Sequence, residues 1–315
     1  MRVITAAPAF AAALEAERAT GRRVGLVPTM GALHAGHRSL IERAAAECDV
    51  VAVTVFVNPL QFSDASDLAR YPRDLDRDVA LAAEAGAQIL FAPSVTEMYP
   101  SFPAPVATSV RVAAVSEGLE GASRPGHFDG VATVVAKLFS LAGRCRAYFG
   151  EKDFQQLVVV RRMVSDLSIP VAVVGCPTVR EPDGLALSSR NVRLSPAARD
   201  AALALRRAVV AGMAALEAGV RDPAVVEGAM AGELSGDPLV EPDYAVAVDA
   251  ATLSAPEAGR ALAGDVRLLV AAVVDGVRLI DNDGMTLAAS VDAPRPGGER
   301  PALQLVGAVT YGEDH

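Results

Sequence analysis

A short segment near the amino terminus carries residue types suited to chemistry, Met30-Gly31-Ala32-Leu33-His34-Ala35-Gly36-His37. An apolar strand pattern precedes it and a helical pattern follows it, so the segment is predicted to be a strand-to-helix turn. Glycine lets backbone N–H groups approach a ligand, and a helix amino terminus favours phosphate. His34 and His37 share a face once helical and can donate hydrogen bonds to a phosphate that gains charge.

Two other interpretations of the histidine pair stay open at this stage. A metal site is one, but two histidines without a nearby cysteine or acidic third ligand make a weak case. A purely structural turn is the other. It explains the glycines but not why two of the chain's 4 histidines lie together. We therefore favour phosphate binding.

Polar residues also follow two later strand patterns. Asn58 and Gln61 come after the run Val50 to Val57, which is typical of a buried parallel strand. Ligands bind at the carboxyl ends of such strands, so the two residues are candidate ligands, but an ordinary Asn-Pro turn explains them equally well. Behind Ala147-Tyr148-Phe149 comes the turn Gly150-Glu151-Lys152-Asp153, with Gln156 one helical turn on. Lys152 suits a phosphate, Asp153 suits Mg²⁺ or a ribose hydroxyl, and Gln156 can present an amide to a small polar substrate. The alternative here is a charged helix cap.

Two further loops contain candidate ligands for anions. The turn-rich segment from Val179 to Asn191 has two hydroxyls and a guanidinium in series at its end, Leu187-Ser188-Ser189-Arg190. Such a loop can close over a triphosphate, with Arg190 balancing the charge of pyrophosphate. Arg124 precedes a helix and could steer an anion, whereas His127 is more typical of a structural histidine.

The elements that must position these residues alternate between strand and helix as far as Val171 to Val174. This alternation predicts an α/β fold with a doubly wound parallel sheet. Val106 to Val112 alternates in polarity and predicts an exposed edge strand. The charged segment Asp64 to Asp78 predicts a solvated helix and its cap.

After Pro177 the pattern changes to helices followed by antiparallel strands. Asp275-Gly276 between two apolar runs is a strong hairpin signal. We predict a nucleotide-binding domain over 1–176, a smaller α+β domain over 177–289 and a flexible tail over 290–315.

Composition narrows the class of protein. The chain has 315 residues, 51% of them hydrophobic, which is enough for a sizeable core. A net charge of −9 argues against nucleic acid as the main partner. The 3 cysteines are far apart and fit buried thiols in a reducing compartment. With no signal-peptide pattern and no run of about 20 apolar residues, we expect a cytoplasmic protein without a membrane span.

Several separated strings together resemble one family. The histidine segment resembles the His-x-Gly-His signature of the nucleotidylyl-transferase superfamily, which includes class I aminoacyl-tRNA synthetases. With that segment, five more strings resemble the pantothenate synthetase family of pantoate–β-alanine ligases: Phe56 to Phe62, Arg124-Pro125 with His127-Phe128, Phe149 to Asp153 with Gln155-Gln156, Arg180-Glu181 with Asp183 to Asn191, and Arg278 to Asn282.

The resemblance implies a Rossmann-like domain with a smaller lid, a cytoplasmic homodimer and a two-step reaction. ATP and pantoate would give pantoyl adenylate and pyrophosphate with Mg²⁺, and β-alanine would then give pantothenate and AMP. The implied ATP site comprises Met30 to His37, Gly150 to Asp153, Val179, and Leu187 to Arg190. Pantoate would be held by Gln61 and Gln156, with Asn58 and Met30 beside it; Gln61 would also touch β-alanine.

The implied catalytic groups are His34, His37, Lys152 and Arg190, with His37 as proton donor. Two positions depart from the family pattern: Ala35 replaces a glutamate and Leu187 a methionine. Neither departure changes a group to which we assign chemistry. Three rivals remain: a nucleotidylyl transferase with a phosphate acceptor, a tRNA-charging relative and a non-catalytic nucleotide sensor.

Overall fold

The structure is a computed structural model that describes residues 1–62 and 65–288 of the chain. The predicted tail over 290–315 lies outside the described residues.

Six parallel strands form the larger sheet: β1 (Arg2–Ile4), β2 (Val24–Thr29), β3 (Val50–Val55), β4 (Ile89–Phe91), β5 (Cys145–Gly150) and β6 (Val171–Cys176). Their spatial order is β1-β4-β3-β2-β5-β6, and every neighbouring pair is parallel. The order reverses between β2 and β5, where Gly25 and Leu26 pair with Arg146 and Ala147. This arrangement confirms the predicted doubly wound sheet and creates a switch point at the carboxyl ends of β2 and β5.

Helices connect these strands: α1 (Ala7–Ala19), α2 (Ala35–Glu47), α3 (Ala65–Arg70), α4 (Leu75–Glu84), α5 (Val95–Met98), α6 (Glu120–Ser123), α7 (His127–Ala142) and α8 (Phe154–Asp166). Helix α7 is apolar almost all round, and it is accordingly buried along most of its length. On the face of the sheet against which α1 packs, the rings of Phe10 and Phe91 stack with centroids 4.4 Å apart.

The smaller sheet is antiparallel, with the order β7 (Val240–Asp249), β8 (Gly264–Val274) and β9 (Val277–Leu287). Asp275 and Gly276 join β8 to β9 with φ of 49° and 75°, the left-handed pair that a two-residue hairpin turn requires. The helices α9 (Pro196–Glu217) and α10 (Pro223–Leu234) cover this sheet. A Cβ at Gly212 of α9 would lie 2.7 Å from Leu268 of β8, so glycine allows this close packing.

Two sheets therefore follow one another along the chain, as an α/β unit and then an α+β unit. The exact domain boundaries at 176 and 289 stay predictions. No helix among the described residues is long and apolar enough to cross a membrane.

The predicted edge strand Val106 to Val112 is wrong, because this segment forms no strand. Val106 and Val110 pack against the larger core, and Val112 is buried in it. The Val110 N–H donates to Thr133 Oγ1 at 2.9 Å, in helix α7. The alternating pattern thus reflects packing against a helix rather than pairing with a neighbouring strand.

Candidate active site

Two turns meet at the switch point of the larger sheet. The histidine turn, Met30 to His37, follows β2, and the lysine turn, Gly150 to Asp153, follows β5. Because β2 and β5 are parallel neighbours, their carboxyl ends open to the same edge of the sheet. Residues far apart along the chain are thereby brought together where ligands bind in this architecture.

His34 and His37 brace each other through the backbone. The Gly36 N–H donates to His34 Nδ1 at 3.1 Å, and the His34 N–H donates to His37 Nδ1 at 3.3 Å. The ring centroids lie 4.1 Å apart. His34 is the extended cap of helix α2 rather than part of it, so the expected shared helical face is replaced by reciprocal capping.

These contacts fix the protonation of both rings. Burial, and then the nearby His34, lowers the pKa of His37 to about 3. Burial and then Lys152 lower the pKa of His34. Both rings are therefore neutral near pH 7, and because each Nδ1 accepts a hydrogen bond, each Nε2 carries the proton. The pair offers two N–H donors for a phosphate without adding positive charge.

Asp78 holds the middle of the histidine turn. Its carboxylate accepts from the N–H groups of Ala32 at 3.0 Å and Leu33 at 2.7 Å, and the residue is 1% exposed. The prediction that Asp78 belongs to a solvated helix is therefore wrong for this residue, although Asp74 does cap α4. The two N–H groups are occupied and do not serve phosphate. Charged residues are frequent among the eight positions before Asp78, so the local sequence is typical of an exposed segment and does not indicate that Asp78 is buried.

Asn58, Gln61 and Met30 form one hydrogen-bonded group. Asn58 donates to Gln61 Oε1 at 3.1 Å and to the Gly130 carbonyl at 3.0 Å, while its Oδ1 accepts from Leu60 N and from Tyr99. Gln61 Nε2 donates to Met30 Sδ at 2.7 Å. The amide of Asn58 is thus filled by protein groups and supports Gln61, and its contact with substrate stays a prediction.

His127 is a structural histidine, as its setting in the sequence favours. Its Nδ1 lies 2.9 Å from the carbonyl oxygen of Gln61, and its Nε2 lies 3.1 Å from Arg124 Nη1. Burial, followed by the charge of Arg124, lowers the pKa of His127 to about 4. The neutral ring therefore donates to the Gln61 carbonyl and accepts from Arg124. Through His127, Arg124 is held next to Gln61.

The lysine turn contains three consecutive charged side chains, Glu151, Lys152 and Asp153. Glu151 faces the smaller sheet, where its carboxylate lies 3.4 Å from Arg267 Nη2. Lys152 is mostly buried at 16% exposure, and its Nζ lies 3.6 Å from Asp153 Oδ1. Desolvation opposes the ionisation of Asp153, but the cations of Lys152 and Arg190 outweigh it and lower the pKa of its carboxyl. Lys152 and Asp153 thus form a charged pair.

The adjacent side chains of Gln155 and Gln156 differ in their contacts: the first is bound by protein groups and the second faces a cavity. Gln155 is 5% exposed and donates to the carbonyls of Val115 and Gly118, while its oxygen accepts from the Glu120 N–H. Gln156 lines a cavity, and its side chain makes no hydrogen bond to any other described residue. Its amide therefore has no protein partner among the described residues, and its contact with substrate stays a prediction.

The loop from Val179 to Asn191 approaches the histidine turn at Leu187. The Leu187 N–H donates to the Val179 carbonyl at 2.9 Å, and a Cβ at Gly36 would lie 3.5 Å from Leu187 Cδ2. Ser188 Oγ accepts from the Arg190 N–H at 3.2 Å, and Ser189 and Arg190 are exposed. The loop end is anchored by Asn191, which donates to Glu181 and to the Ala186 carbonyl.

Two adjoining cavities lie between the larger and the smaller sheet. The larger, of about 300 Å³, is lined among others by Lys152, Asp153, Ser188 and Arg190. The smaller, of about 40 Å³, is lined by Gln156 and His127, and both cavities share six lining residues: Glu120, Arg124, Lys152, Asp153, Ile280 and Asp281. Predicted phosphate ligands thus line the first cavity, and a predicted substrate ligand lines the second.

Several predicted ligands lie outside the lining of these cavities: Met30 to His37, Asn58, Gln61, Gly150, Glu151, Val179, Leu187 and Ser189. The histidines nevertheless lie near enough for Lys152 and Asp153 to affect their pKa values. Within the described residues, no three His, Cys, Asp or Glu side chains are grouped so that they could hold a metal ion.

Comparison with known proteins gives a consistent result. The family described as Pantoate-beta-alanine ligase matches residues 2–284. The pantothenate synthetase of Cereibacter sphaeroides is 54% identical over 265 residues, covering 84% of this chain and 92% of that protein. The pantothenate synthetase of Moorella thermoacetica is 52% identical over 267 residues, covering 85% and 92%.

Solved structures agree with the sequence comparisons. The pantothenate synthetase of Thermus thermophilus superposes with a TM-score of 0.82 at 50% identity, covering 90% of this chain and 98% of that one. A pantoate-beta-alanine ligase from Francisella tularensis, complexed with beta-gamma ATP and beta-alanine, has a TM-score of 0.67 at 31% identity, covering 90% and 97%. Family, relatives and fold agree over nearly all the described residues, and the chain belongs to the pantoate–β-alanine ligase family.

Proposed function

We propose that the chain carries out the ATP-dependent ligation of pantoate and β-alanine in two steps, through a pantoyl adenylate. The observation that carries the proposal is the meeting of the histidine turn and the lysine turn at the switch point of the sheet. Neutral N–H donors lie on one side of that point and the Lys152 cation on the other. Such groups stabilise charge on a phosphate as it is attacked.

In the first step, a carboxylate oxygen of pantoate forms a bond to the α-phosphorus of ATP. The bond from that phosphorus to the bridging oxygen breaks, and pyrophosphate leaves. His37 and His34 would donate from Nε2 to the phosphate oxygens, while Lys152 and Arg190 balance the negative charge. Little covalent assistance is needed, because positioning and electrostatic stabilisation supply most of the rate.

Neutral amides would bind pantoate. Gln156 faces the smaller cavity with its amide free, and Gln61 is held by Asn58 and Met30. Amides can bind the hydroxyl groups of pantoate without an ion pair that would hold its carboxylate back from phosphorus. Gln61 would also contact β-alanine.

In the second step, the neutral amine of β-alanine attacks the acyl carbon of the adenylate. The bond from that carbon to the AMP oxygen breaks, the attacking nitrogen releases one proton to solvent, and pantothenate and AMP form. An acyl-enzyme route finds no support in the cysteines, because all three are buried. Burial raises the pKa of Cys145 to about 12 and that of Cys176 to about 11.

Asp153 would hold Mg²⁺ together with the phosphates of ATP. Its side chain is 54% exposed and lines both cavities, and a carboxylate oxygen is a ligand that Mg²⁺ prefers. The bound ion would neutralise charge on the phosphates.

The proposal extends to a cytoplasmic homodimer, on the basis of the family resemblance. Light scattering at micromolar concentration should give twice the mass of the chain. A monomer mass would contradict the dimer.

The reaction is tested by exchange of labelled pyrophosphate into ATP, with pantoate and Mg²⁺ but without β-alanine. Label should enter ATP only when pantoate is present, because the first step is reversible on the enzyme. A nucleotidylyl transferase with a phosphate acceptor would show no dependence on pantoate, and a nucleotide sensor would show no exchange. Exchange that required β-alanine would refute the two-step order.

A further inference from the structure

Asn282, in strand β9 of the smaller sheet, reaches across to the lysine turn. Its Nδ2 donates to the backbone carbonyls of Glu151 at 3.1 Å and Lys152 at 2.8 Å. The residue is 2% exposed. Both N–H bonds of one buried amide are therefore used on two consecutive peptide groups that lie far earlier in the chain.

Arg267 fixes which way the amide of Asn282 points. The Nε of Arg267 donates to Asn282 Oδ1 at 2.8 Å, and Nη2 contacts the same oxygen. An arginine has no acceptor, so the amide oxygen must face it and the NH₂ group must face the carbonyls. The guanidinium itself lies 4.0 Å over the ring of Phe154 and contacts Glu151 Oε2.

The strand places Asn282 with little freedom. Its own N–H donates to Asp281 Oδ1 at 2.7 Å, and Asp281 is bound by both terminal nitrogens of Arg180 at 2.7 and 2.9 Å. Register within the sheet pairs Asn282 with Leu269 of β8. The amide is thus presented by a rigid strand rather than by a loop, as precise positioning requires.

The two carbonyls define the direction of the Lys152 side chain. The peptide groups that carry them flank the Cα of Lys152, in a short turn between β5 and α8. Fixing these groups fixes the Cα–Cβ direction of Lys152, whose amine must reach the cavity side. A displacement of about 1 Å at a reacting group can cost roughly 100-fold in rate.

We propose that Asn282 is a positioning residue for Lys152, so that docking of the smaller sheet sets the place of a phosphate-binding cation in the larger one. The proposal rests on the role given to Lys152 in the proposed function. Asn282 also borders the smaller cavity. Because both N–H groups of its amide are used on the carbonyls of the lysine turn, its proposed effect on the reaction runs through that turn.

The test is a double-mutant cycle with Asn282→Asp and Lys152→Met. Asn282→Asp keeps the oxygen that faces Arg267 but replaces the NH₂ donor with an oxygen that faces two carbonyls. Asn282→Ala is the second variant in case the aspartate form does not fold. Asp283→Asn is the matched control, because its side chain, one residue further along β9, pairs with Arg206 of the same unit.

Single-turnover adenylate formation should slow by about 10- to 100-fold in Asn282→Asp, with unchanged pantoate affinity and no such effect in Asp283→Asn. In the Lys152→Met background, the Asn282 substitution should cause no further loss, since residues acting through one group are not additive. Equal slowing in both backgrounds, or an unchanged rate in the folded variant, would overturn the proposal.

The same double-mutant cycle is repeated with a second measurement, the affinity for a non-hydrolysable ATP analogue by calorimetry. This measurement does not depend on catalysis. Coupling between Asn282 and Lys152 in that measurement, without pantoate-dependent pyrophosphate exchange, would support the positioning role and refute the proposed reaction. Exchange without coupling in either measurement would refute the positioning role alone.

Discussion

The histidine turn and the lysine turn lie at the ends of neighbouring strands, but they are held in different ways. In the histidine turn, His34, Gly36 and His37 brace one another locally, and Asp78 of the same α/β unit holds the rest. The lysine turn has its carbonyls bound by Asn282, from a different sheet. The donors of the first turn are thus set within one unit, whereas the cation of the second depends on how two units dock.

The two turns therefore differ in how far they depend on the smaller sheet. The Nε2 donors keep their orientation whether or not the smaller sheet moves, because their Nδ1 partners are local. Lys152 keeps its place only while β9 stays docked. On the proposed roles of Lys152 and Asn282, the site is therefore complete only when both units are in contact.

The largest expected effect comes from the histidine turn. His37→Ala should slow single-turnover adenylation by roughly 100- to 1000-fold, the usual cost of removing one preorganised donor. The fold should survive, because the change is confined to the first turn of α2. Arg38→Ala, an exposed neighbour that pairs with Glu42, is the control and should keep a normal rate. Near-normal adenylation in folded His37→Ala would remove this residue from the mechanism.

The adjacent glutamines behind the lysine turn should separate binding from stability. Gln156→Ala should weaken pantoate binding by about 1–3 kcal/mol, because a polar substrate group loses its partner, with little change in ATP affinity. Gln155→Ala should instead lower the free energy of unfolding, because it releases Val115, Gly118 and Glu120. Calorimetry and urea denaturation of both variants check this. Unchanged pantoate affinity in Gln156→Ala would contradict the assignment.

Asp78→Asn should loosen the histidine turn alone. One of the two N–H groups of Ala32 and Leu33 would lose its acceptor, so stability should fall by about 1–3 kcal/mol. Asp74→Asn on the same helix is the matched control, since asparagine caps helices as well as aspartate does. Urea denaturation measures both. Equal loss in the two variants would show that Asp78 has no special role.

The last prediction concerns pH. His127 has a folded pKa of about 4, against an ordinary value of 6.5. Between these values the unfolded chain binds more protons, so the free energy of unfolding should fall as the pH drops through this window. In His127→Gln this part of the pH dependence should be absent. Denaturant titrations at several pH values compare the two slopes, and identical slopes would contradict the lowered pKa.

The sequence by itself determined a good part of this protein. Apolar runs and turn residues predicted the parallel sheet, and Asp275-Gly276 predicted the hairpin of β8 and β9. The histidine pair and the free amide of Gln156 were found as candidates because strand, glycine turn and helix follow one another locally. These features can be predicted from short sequence windows, because they depend on local backbone conformation and on the periodicity of neighbouring residues.

Only the tertiary structure decided which polar groups are already occupied. Asp78 looks solvated among its charged neighbours, yet it is buried under the histidine turn. Gln155 and Gln156 are the same residue type in adjacent positions, but packing against Val115 to Glu120 fills only the first amide. Asn282 meets the lysine turn across two units of the fold. Each outcome depends on partners far away along the chain, and no local pattern encodes such distances.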